Sequence, residues 1–425
     1  MKNIVIVGAG PAGVATGLLL VQQGHNVTLL EQEEKFDRVF RGEGLMPSGL
    51  AALHQMGLKE TFERIPSRRL TSWDFVVGGE RRMRVVEPVV DGLATQIMNQ
   101  TALLEGMVAE AEKLPTFKFL PGWRVSELIR EEESNRVCGL RASRNGEKRD
   151  FSADVVIGCD GRFSRLRKLA ALTIENADAA FDVLWFKLPA PESLSEETPF
   201  VACLQPDRQF AFYPSWDGRL QIGWIVKKRG GVGRREMGSG EKAEQGRFAE
   251  WKERDWIEVF AQGVPLELAE HFRAHREELE GPIFLDVQVG CCEQWWVPGL
   301  LLIGDAAHPM APNRAQGINM ALRDAIVVAN HFAEIGDGRQ NVIDEKLKAI
   351  QVERLPEVLA VQKKQLAEWR KVALISTPGL PYLGFKAIAS LFGRFTFAQN
   401  VWLHEQKGLR EGVLPVRLKK SGVRK

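Results

Sequence analysis

Six residues near the N-terminus form a glycine-rich turn that suits the binding of a diphosphate. Their order, Gly-Ala-Gly-Pro-Ala-Gly, satisfies the pattern G-x-G-x-x-G. Gly8 permits a tight turn, Gly10 lets the backbone approach a pyrophosphate, and Gly13 lets the next helix pack closely on the preceding strand. That helix, with Pro11 and Ala12 at its start, would offer free backbone N–H groups to the phosphates. The turn predicts a dinucleotide site and does not distinguish FAD from NAD.

The elements around this turn are those that a dinucleotide site requires. A buried strand at residues 4–7 precedes the turn, an apolar helix at 14–23 follows it, and a second strand covers 27–30. Glu31 ends the second strand 18 residues after Gly13, where a carboxylate can accept both hydroxyl groups of an adenosine ribose. The strand, turn, helix and acid together form one βαβ unit. This context favours a dinucleotide-binding turn over an ordinary loop that binds no ligand.

Two later segments place polar motifs directly after short buried strands. Residues 155–158 lead into a D-G-x-x-S pattern that begins at Asp160. Residues 300–303 lead into a G-D-A-A-H-x-x-x-P pattern that begins at Gly304 and ends at Pro312. Together with the glycine turn, these patterns make the cofactor prediction specific.

The three motifs resemble those of single-component FAD-dependent aromatic monooxygenases with the p-hydroxybenzoate hydroxylase fold. They stand in that family's order and at its spacing, over roughly residues 1 to 370. The resemblance implies non-covalent FAD and NADPH or NADH as co-substrate. No second nicotinamide fingerprint occurs in the chain, which agrees with a family whose members bind NAD(P)H transiently on the flavin domain.

The resemblance also implies roles for individual residues. Asp160 and Gly304 would border the FAD, and Asp305 would accept a hydrogen bond from a ribityl hydroxyl. Pro312, which has no N–H and a fixed φ, would be a catalytic residue beside the flavin edge that reacts with oxygen, with loop punctuation as the alternative. The positive end of the next helix would face the flavin N1 and C2 oxygen. That helix begins with Gln316, Gly317, Ile318 and Asn319.

Three further positions match family positions along the FAD. Arg41 and Gly42 look like the arginine segment that lies across the pyrophosphate. Gln100 matches a position where Gln or Arg reaches the phosphate and ribityl region, with a helix N-cap as the alternative. Val125 falls where the family packs a backbone against adenine, with a plain strand residue as the alternative.

One pair of positions departs from the family pattern. Where most relatives have two glycines before Gln316, this chain has Arg314 and Ala315. A cation at a helix start opposes the helix dipole and needs a compensating partner. Arg314 is therefore either a catalytic residue that faces the flavin pyrimidine, a substrate acid or the NAD(P)H phosphate, or a solvated side chain.

Residues 181–227 alternate in strand fashion and carry many aromatic side chains. In the family, this sheet covers the flavin and lines the substrate site, which favours a flat hydrophobic substrate. Phe210, Phe212 and Trp224 are therefore expected to line the substrate pocket. The alternative is that aromatic residues at this period form the core.

The C-terminal segment differs in composition from the rest. Apolar residues recur there at helical spacing, with Lys386, Ser390 and Arg394 on the opposite face; the tail at 417–425 holds five basic residues and no acid. Such a helix can make peripheral contact with a membrane surface. Helices in this position more often pack against the body of the protein or against a second subunit in a homodimer. The apolar residues are Leu383, Ala387, Ile388, Leu391, Phe392 and Phe395.

Composition excludes several other classes of protein. The chain carries 57 Lys plus Arg and 55 Asp plus Glu, a balance that disfavours a dedicated nucleic-acid binder. No Cys/His group has the spacing of a zinc site, so no metal is expected. The odd number of cysteines, with Cys291 and Cys292 adjacent, indicates reduced thiols. Glycines interrupt the first apolar run and no transmembrane run follows, so we expect a cytoplasmic protein.

These patterns predict an α/β fold: a Rossmann-like FAD-binding domain, a substrate domain with a mixed or antiparallel sheet, and a helical C-terminal extension. The FAD-binding domain is discontinuous because the sheet interrupts it. The predicted ranges are 1–70, 94–175 and 290–340 for the FAD-binding domain, 71–93 and 176–289 for the substrate domain, and 341–425 for the extension.

The predicted function is that of an FAD-dependent oxidoreductase that uses NAD(P)H and O2 to hydroxylate an aromatic or polycyclic substrate. The resemblance implies a flavin C4a-hydroperoxide as oxygenating species, which survives only where water is excluded. A halogenase is disfavoured because residues 60–112 contain no lysine. A flavin-dependent reductase of an apolar isoprenoid-like substrate and a non-catalytic FAD-binding module stay open.

Overall fold

The computed structural model describes residues 1–36, 43–177, 181–228, 251, 254–335 and 339–419. In chain order, the strands are β1 (Asn3–Val7), β2 (Asn26–Leu30), β3 (Gly44–Leu45), β4 (Ser67–Arg69), β5 (Ser72–Val77), β6 (Glu80–Val86), β7 (Gln96–Met98), β8 (Phe117–Leu120), β9 (Arg124–Arg130), β10 (Val137–Arg144), β11 (Glu147–Ser152), β12 (Val155–Gly158), β13 (Ile174–Ala177), β14 (Phe181–Pro189), β15 (Pro199–Gln205), β16 (Arg208–Pro214), β17 (Arg219–Lys227), β18 (Glu280–Leu285), β19 (Val289–Cys292), β20 (Trp296–Val297) and β21 (Leu300–Leu302). The α-helices are α1 (Pro11–Gln22), α2 (Pro47–Gln55), α3 (Lys59–Glu63), α4 (Gln100–Glu112), α5 (Arg165–Leu169), α6 (Trp256–Ala261), α7 (Leu266–Ala274), α8 (Gln316–Phe332), α9 (Gln340–Ile375), α10 (Leu380–Phe392) and α11 (Thr396–Glu411).

A six-stranded sheet brings the three sequence motifs together. Its order is β20-β21-β12-β1-β2-β8, and all neighbours are parallel except β20 with β21. The strands β21, β12 and β1, each followed by a motif, are adjacent. Because parallel strands end at one edge of a sheet, the three motif turns meet there. The apolar runs that form these strands are buried on both faces, as parallel strands require.

A seven-stranded sheet forms the second layer, in the order β18-β14-β17-β16-β15-β5-β6. Its neighbours are antiparallel except β5 with β15. Its strands come from residues 72–86 and 181–285, because the chain leaves the six-stranded sheet twice. Side chains alternate between the two faces of this sheet, and α6 and α7 cover one of them.

Three smaller sheets connect these layers: β3-β7-β4, β11-β10-β9 and β13 with β19. The long helix α9 covers residues 340–375 and continues through Pro356. Helices α10 and α11 then pack on β6, at the edge of the seven-stranded sheet.

Within the described ranges, no helix by itself has the length and apolar composition of a membrane span. Helices α9 and α10 satisfy that test only when taken together, and they are bent by 102° where they meet.

Candidate flavin and substrate site

The three glycines of the first motif have different surroundings. Gly8 has a φ of 99°, and a Cβ added there would lie 2.4 Å from the carbonyl oxygen of Cys159. A Cβ added at Gly13 would lie 1.9 Å from the carbonyl oxygen of Gly8. A Cβ added at Gly10 would have no neighbour within 4 Å. The outer glycines are therefore required by packing, whereas the backbone at Gly10 borders open space that a pyrophosphate would fill.

The start of α1 is free to bind an anion. Gly10 is its N-cap, no side chain caps it, and its first turn holds no acid. Glu31 is buried beside the turn, where it accepts hydrogen bonds from the N–H groups of Ala9 (2.7 Å) and Glu33 (3.1 Å). An uncapped helix start offers its N–H groups to phosphate. These residues fit a dinucleotide cofactor.

The second motif holds its own turn together. Asp160 accepts hydrogen bonds from the Ser164 hydroxyl (2.6 Å) and the Leu166 N–H (3.0 Å). Ser164 in turn caps α5 by accepting from the Arg167 N–H at 2.9 Å. Burial raises the pKa of Asp160. The Asp160 side chain thus fixes α5 after β12, and its contact with FAD stays a prediction.

Asp305 of the third motif stands beside the start of α8. A Cβ added at Gly317 would lie 3.9 Å from its Oδ1. Its half-buried carboxylate accepts no hydrogen bond from any residue that the structure describes. An unpaired carboxylate next to an uncapped helix start suits a ribityl hydroxyl, so these residues also fit FAD.

The turn before α8 has a left-handed backbone at two successive residues. Arg314 has a φ of 60° and Ala315 a φ of 48°, a conformation that only glycine adopts without strain. This explains why a pattern with two glycines suits the position. The side chain of Gln316 donates to the carbonyl groups of Arg314 (2.8 Å) and Leu409 (2.7 Å), and that of Asn319 to Ala315 (2.6 Å). These side chains stabilise the turn and leave the α8 N-terminus without a side-chain cap.

The side chain of Arg314 has partners that the sequence did not indicate. Its guanidinium lies 4.4 Å from the ring centre of Trp73 and 4.8 Å from that of Trp402. Its Nε donates to Glu368 of α9 at 2.9 Å, and the side chain is 10% exposed. The solvated alternative is therefore wrong. Its compensating partners within the chain are Glu368 and two aromatic rings, while contact with the flavin pyrimidine, a substrate acid or the NAD(P)H phosphate stays a prediction.

Pro312 begins the same turn. It is half-buried with a φ of −71°, and its carbonyl oxygen accepts a hydrogen bond from the Ala315 N–H at 3.1 Å. It therefore has a structural role in shaping the turn. Its position beside the reactive edge of the flavin stays a prediction.

Asn99, not Gln100, caps α4. The Asn99 Oδ1 accepts a hydrogen bond from the Ala102 N–H at 3.0 Å, and Gln100 is the first helical residue. The N-cap alternative for Gln100 is therefore wrong. Its half-buried side chain stays a predicted FAD ligand.

The remaining predicted FAD residues lie near Glu31 or outside the described chain. Val125 is buried at the start of β9, and two residues earlier the Trp123 N–H donates to the Glu31 carbonyl group at 2.8 Å. The start of β9 therefore lies next to Glu31, the residue whose carboxylate is predicted to bind the adenosine ribose. Arg41 and Gly42 lie outside the described residues.

The three predicted substrate-pocket residues lie in a closed core instead. Phe210, Phe212 and Trp224 are 2%, 0% and 6% exposed. Phe210 and Phe212 pack on Phe260 of α6 and Phe272 of α7, with ring centres 5.3 and 6.1 Å apart. The prediction is wrong because the face that bears these rings is the one that α6 and α7 cover.

The opposite face of this sheet, here called the inner sheet face, meets the flavin motifs. Ala311 packs in one cluster with Val183 and Trp369, and Ala315 packs against Trp73. Both alanines belong to the segment that leads into α8. The inner sheet face includes Trp73, Phe75, Val183, Trp185, Lys187, Phe200, Tyr213, Gln221, Gly223 and Ile225.

A buried ionic network beneath the third motif was missed by the sequence analysis. The Asp324 Oδ2 accepts from the Gly304 N–H at 3.0 Å and lies 2.7 Å from the His308 Nε2, while Oδ1 accepts from Arg354 at 2.7 Å. Burial alone would raise the pKa of Asp324, but the charges of His308 and Arg354 hold it at about 2. The network fixes the turn that carries Asp305. His308 was a visible signal in the motif, whereas Asp324 and Arg354 had none.

Comparison with known proteins supports the interpretation of these residues as an FAD site. A family model described as an FAD binding domain matches residues 1–364. The chain belongs to the FAD-dependent aromatic monooxygenase family. Its cofactor is FAD, and the monooxygenase is an oxidoreductase of mixed α/β fold.

Two relatives and one solved structure show the extent of the likeness. The 6-methylpretetramide 4-monooxygenase of Streptomyces rimosus is 30% identical over 371 residues, which are 87% of this chain and 84% of the relative. The 6-hydroxynicotinate 3-monooxygenase of Bordetella bronchiseptica is 25% identical over 79% of this chain and 83% of the relative. The p-nitrophenol 4-monooxygenase PnpA of Pseudomonas putida DLL-E4 shares the fold, with a TM-score of 0.76, 20% identity and coverage of 98% of this chain and 100% of PnpA. These relatives give no support to an isoprenoid reductase or a non-catalytic module.

Proposed function

We propose that this monooxygenase takes hydride from NADPH or NADH and inserts one atom of O2 into an aromatic or polycyclic substrate held at the inner sheet face. The observation that carries the proposal is the contact of this face with the segment 311–315, which joins the third FAD motif to α8. A molecule bound there would lie between the sheet and the cofactor site.

The side chains of the inner sheet face suit a flat apolar ring. Phe200 and Tyr213 stack with ring centres 5.8 Å apart, and Trp185 lies against Gly223. Aromatic surfaces bind planar ligands by stacking and exclude water. FAD supplies the redox and oxygen chemistry when bound, while the chain's residues orient the substrate and keep the site dry.

The names of the relatives support this class of substrate. The Streptomyces rimosus relative is named for 6-methylpretetramide, and the Bordetella bronchiseptica relative for 6-hydroxynicotinate. We therefore propose a ring substrate that already carries polar substituents.

A panel of phenols, quinolones and polyketide aromatics tests the proposal. In stopped-flow experiments, the right compound is expected to accelerate reduction of the bound FAD by NADPH or NADH, because substrate binding completes the site. FAD reduction that no compound accelerates, together with no oxygenated product, would contradict the proposed function.

We also propose that the enzyme is cytoplasmic. All five cysteines are free thiols, and burial raises the pKa of Cys291 to about 11. Unpaired thiols are usual in a reducing compartment, which supports this location.

Helix α10 supports a further proposal, peripheral contact with a membrane. Its polar side faces the protein: Tyr382 is buried, and a Cβ added at Gly78 would lie 3.0 Å from the Lys386 Nζ. Its apolar side faces outward, the reverse of ordinary helix packing. The exposed side chains of this outward face and of the start of α11 are Leu380, Leu383, Ile388, Leu391, Phe392, Phe395 and Phe397.

The charged residues in the sequence around this outward face indicate which kind of surface it would bind. Residues 369–404 contain Arg370, Lys371, Lys386 and Arg394 and no Asp or Glu. Soluble monomers rarely expose a contiguous apolar patch of this kind. Apolar side chains whose charged neighbours within this stretch are basic suit the surface of an anionic bilayer, and we propose that surface as the occupant. The first acid after the stretch, Glu405, pairs with Lys371.

Replacing Leu383 and Leu391 by serine is expected to abolish sedimentation of the FAD-loaded chain with vesicles of phosphatidylglycerol and phosphatidylcholine. Each buried leucine contributes about 1.5–3 kcal/mol, so the double variant is expected to bind at least about 100-fold more weakly. The matched control is Leu266→Ser, which replaces an exposed leucine of α7. This variant should sediment with the vesicles as the wild type does. The membrane proposal would be contradicted if the wild type does not sediment with the vesicles and forms a dimer, while the double variant is monomeric.

A further inference from the structure

A buried polar cluster lies where the FAD-binding domain meets the inner sheet face. Glu43, just before β3, has a side chain only 8% exposed. Its Oε2 accepts a hydrogen bond from the Ser215 hydroxyl at 2.8 Å, and its Oε1 lies 3.9 Å from the Lys187 Nζ. Lys187 also donates to Asp217 at 2.5 Å. Lys187 of β14 and Ser215 of the turn between β16 and β17 thus lie near one carboxyl group from outside the sheet.

The segment that follows Glu43 connects the cluster to the flavin turn. A Cβ added at Gly44 would lie 3.0 Å from the Cβ of Ala315. The Met46 N–H donates to the Asn319 Oδ1 of α8 at 2.9 Å. Gly44, the residue after Glu43, therefore lies against the turn that begins α8. The carboxyl group of Glu43 faces the sheet proposed to hold the substrate.

An unsatisfied polar atom lies beside the same cluster. Gln221 is 3% exposed, and its Oε1 has no hydrogen-bond partner in the described part of the chain. It pairs in register with Lys187 of β14 and with Tyr213 of β16. A buried amide oxygen without a partner is unfavourable, so this position indicates a ligand that brings an O–H or N–H donor.

The surroundings of Glu43 allow it to change protonation state near neutral pH. Burial raises its pKa to about 7, although the Ser215 hydroxyl and the Lys187 charge act in the opposite direction. Asp217 and the Trp216 side chain are the other groups that act on it. A general base works best when its pKa lies near the working pH.

We propose that Glu43 is a catalytic residue that accepts the proton of a ring hydroxyl on a phenolic or enolic substrate. The substrate O–H bond breaks, an O–H bond forms on the Glu43 carboxylate, and the electron pair stays on the substrate oxygen. This makes the ring more electron-rich, and therefore more reactive toward the oxygen atom that is inserted. Ser215 and Lys187 are positioning residues, and Gln221 accepts a hydrogen bond from a second donor on the substrate. The inference rests on the proposed function and narrows its substrate class to rings with an ionisable hydroxyl.

The kinetic test compares Glu43→Gln with the wild type on any phenol of the panel that the wild type hydroxylates. Glutamine keeps the size of the side chain but cannot take the proton. We expect kcat/KM of the wild type to rise with pH around 7 and the variant to lose both this inflection and about 100-fold or more of kcat. Ser215→Ala should move the inflection to higher pH, because the carboxylate loses a hydrogen bond that favours its charged form. Glu105→Gln, an exposed position on α4, is the matched control.

A thermal test on the FAD-loaded protein needs no substrate. A carboxyl group whose pKa is raised by folding makes the folded state less stable as the pH rises from its unfolded pKa through its folded one. Glu43→Gln is therefore expected to raise Tm relative to the wild type at pH 8 and to do so much less at pH 5. Glu105→Gln should show no such difference.

The outcomes separate this inference from the function on which it rests. An unchanged pH profile and rate in Glu43→Gln, with hydroxylation intact, would overturn the role of Glu43 and leave the monooxygenase proposal standing. A Tm difference that is equal at pH 5 and pH 8 would also overturn it. If the wild type hydroxylates no member of the panel, the proposed function itself fails.

Discussion

Replacing Gly10 by valine is expected to remove most of the FAD from the purified protein and to leave the chain folded. A Cβ added at this position has no neighbour within 4 Å, so the substitution is expected to disturb mainly what occupies the open space. Forcing extra carbon atoms into an occupied site costs about 1–3 kcal/mol, or about 5- to 150-fold in Kd. The measurement is the FAD content and FAD affinity of the variant, with its Tm as a check of folding.

The chain offers a matched control for this variant. Gly384 on α10 likewise has no neighbour within 4 Å of an added Cβ and no positive φ. Gly384→Val is therefore expected to retain FAD fully. Equal FAD affinity in Gly10→Val and Gly384→Val would contradict the assignment of the open space to the pyrophosphate.

Replacing Asp324 by alanine is expected to have the largest effect on stability. The substitution removes one of the two carboxylates that contact Arg354, whose side chain is 1% exposed, and leaves only Glu357; it also removes the acceptor of the Gly304 N–H. Breaking a buried ion pair by removing one partner costs about 3–5 kcal/mol. Because the network fixes the turn that carries Asp305, FAD affinity should fall as well.

The control for this prediction is an exposed ion pair. Glu405 lies 2.8 Å from Lys371, and both side chains are about half exposed, so Glu405→Ala should cost less than about 1 kcal/mol. Urea unfolding and FAD titration measure both effects. A loss of stability in Asp324→Ala no larger than that in Glu405→Ala would show that the network does not hold the motif.

The parts of this site that the sequence predicted are local ones. The strand, glycine turn, helix and acid of residues 3–31 are set by short-range periodicity and by glycines that tolerate close packing. The meeting of the three motifs also follows from a general rule, because parallel strands of one sheet end at the same edge. These two facts explain why the FAD motifs are adjacent in the structure.

The substrate side could not be assigned in the same way. Alternation along β16 and β17 defines two faces but does not tell which one other elements cover. The helices that decide this, α6 and α7, lie at residues 256–274, far along the chain from Phe210 and Phe212. The pattern was therefore right about an aromatic sheet and wrong about the face that bears Phe210, Phe212 and Trp224, because α6 and α7 cover it.

The partners of the buried charged side chains could not be predicted from the sequence for a related reason. Arg314 is held by Trp73, Glu368 and Trp402, which come from three distant parts of the chain. Glu43 is likewise unremarkable by type and spacing, and only its burial raises its pKa, while the hydrogen bond from Ser215 acts in the opposite direction. Such contacts arise from tertiary packing and leave no local signal.

The measurement that tests the central claim most directly is the origin of the oxygen atom in the product. The FAD-loaded enzyme is supplied with NADPH or NADH, a phenolic ring compound that stimulates FAD reduction, and isotopically labelled O2. We expect a product that has gained one oxygen atom, with the label coming from O2 and none from labelled water. A product that instead gains two hydrogen atoms under anaerobic conditions, with no oxygen incorporated, would contradict monooxygenation and make the chain a flavin-dependent reductase.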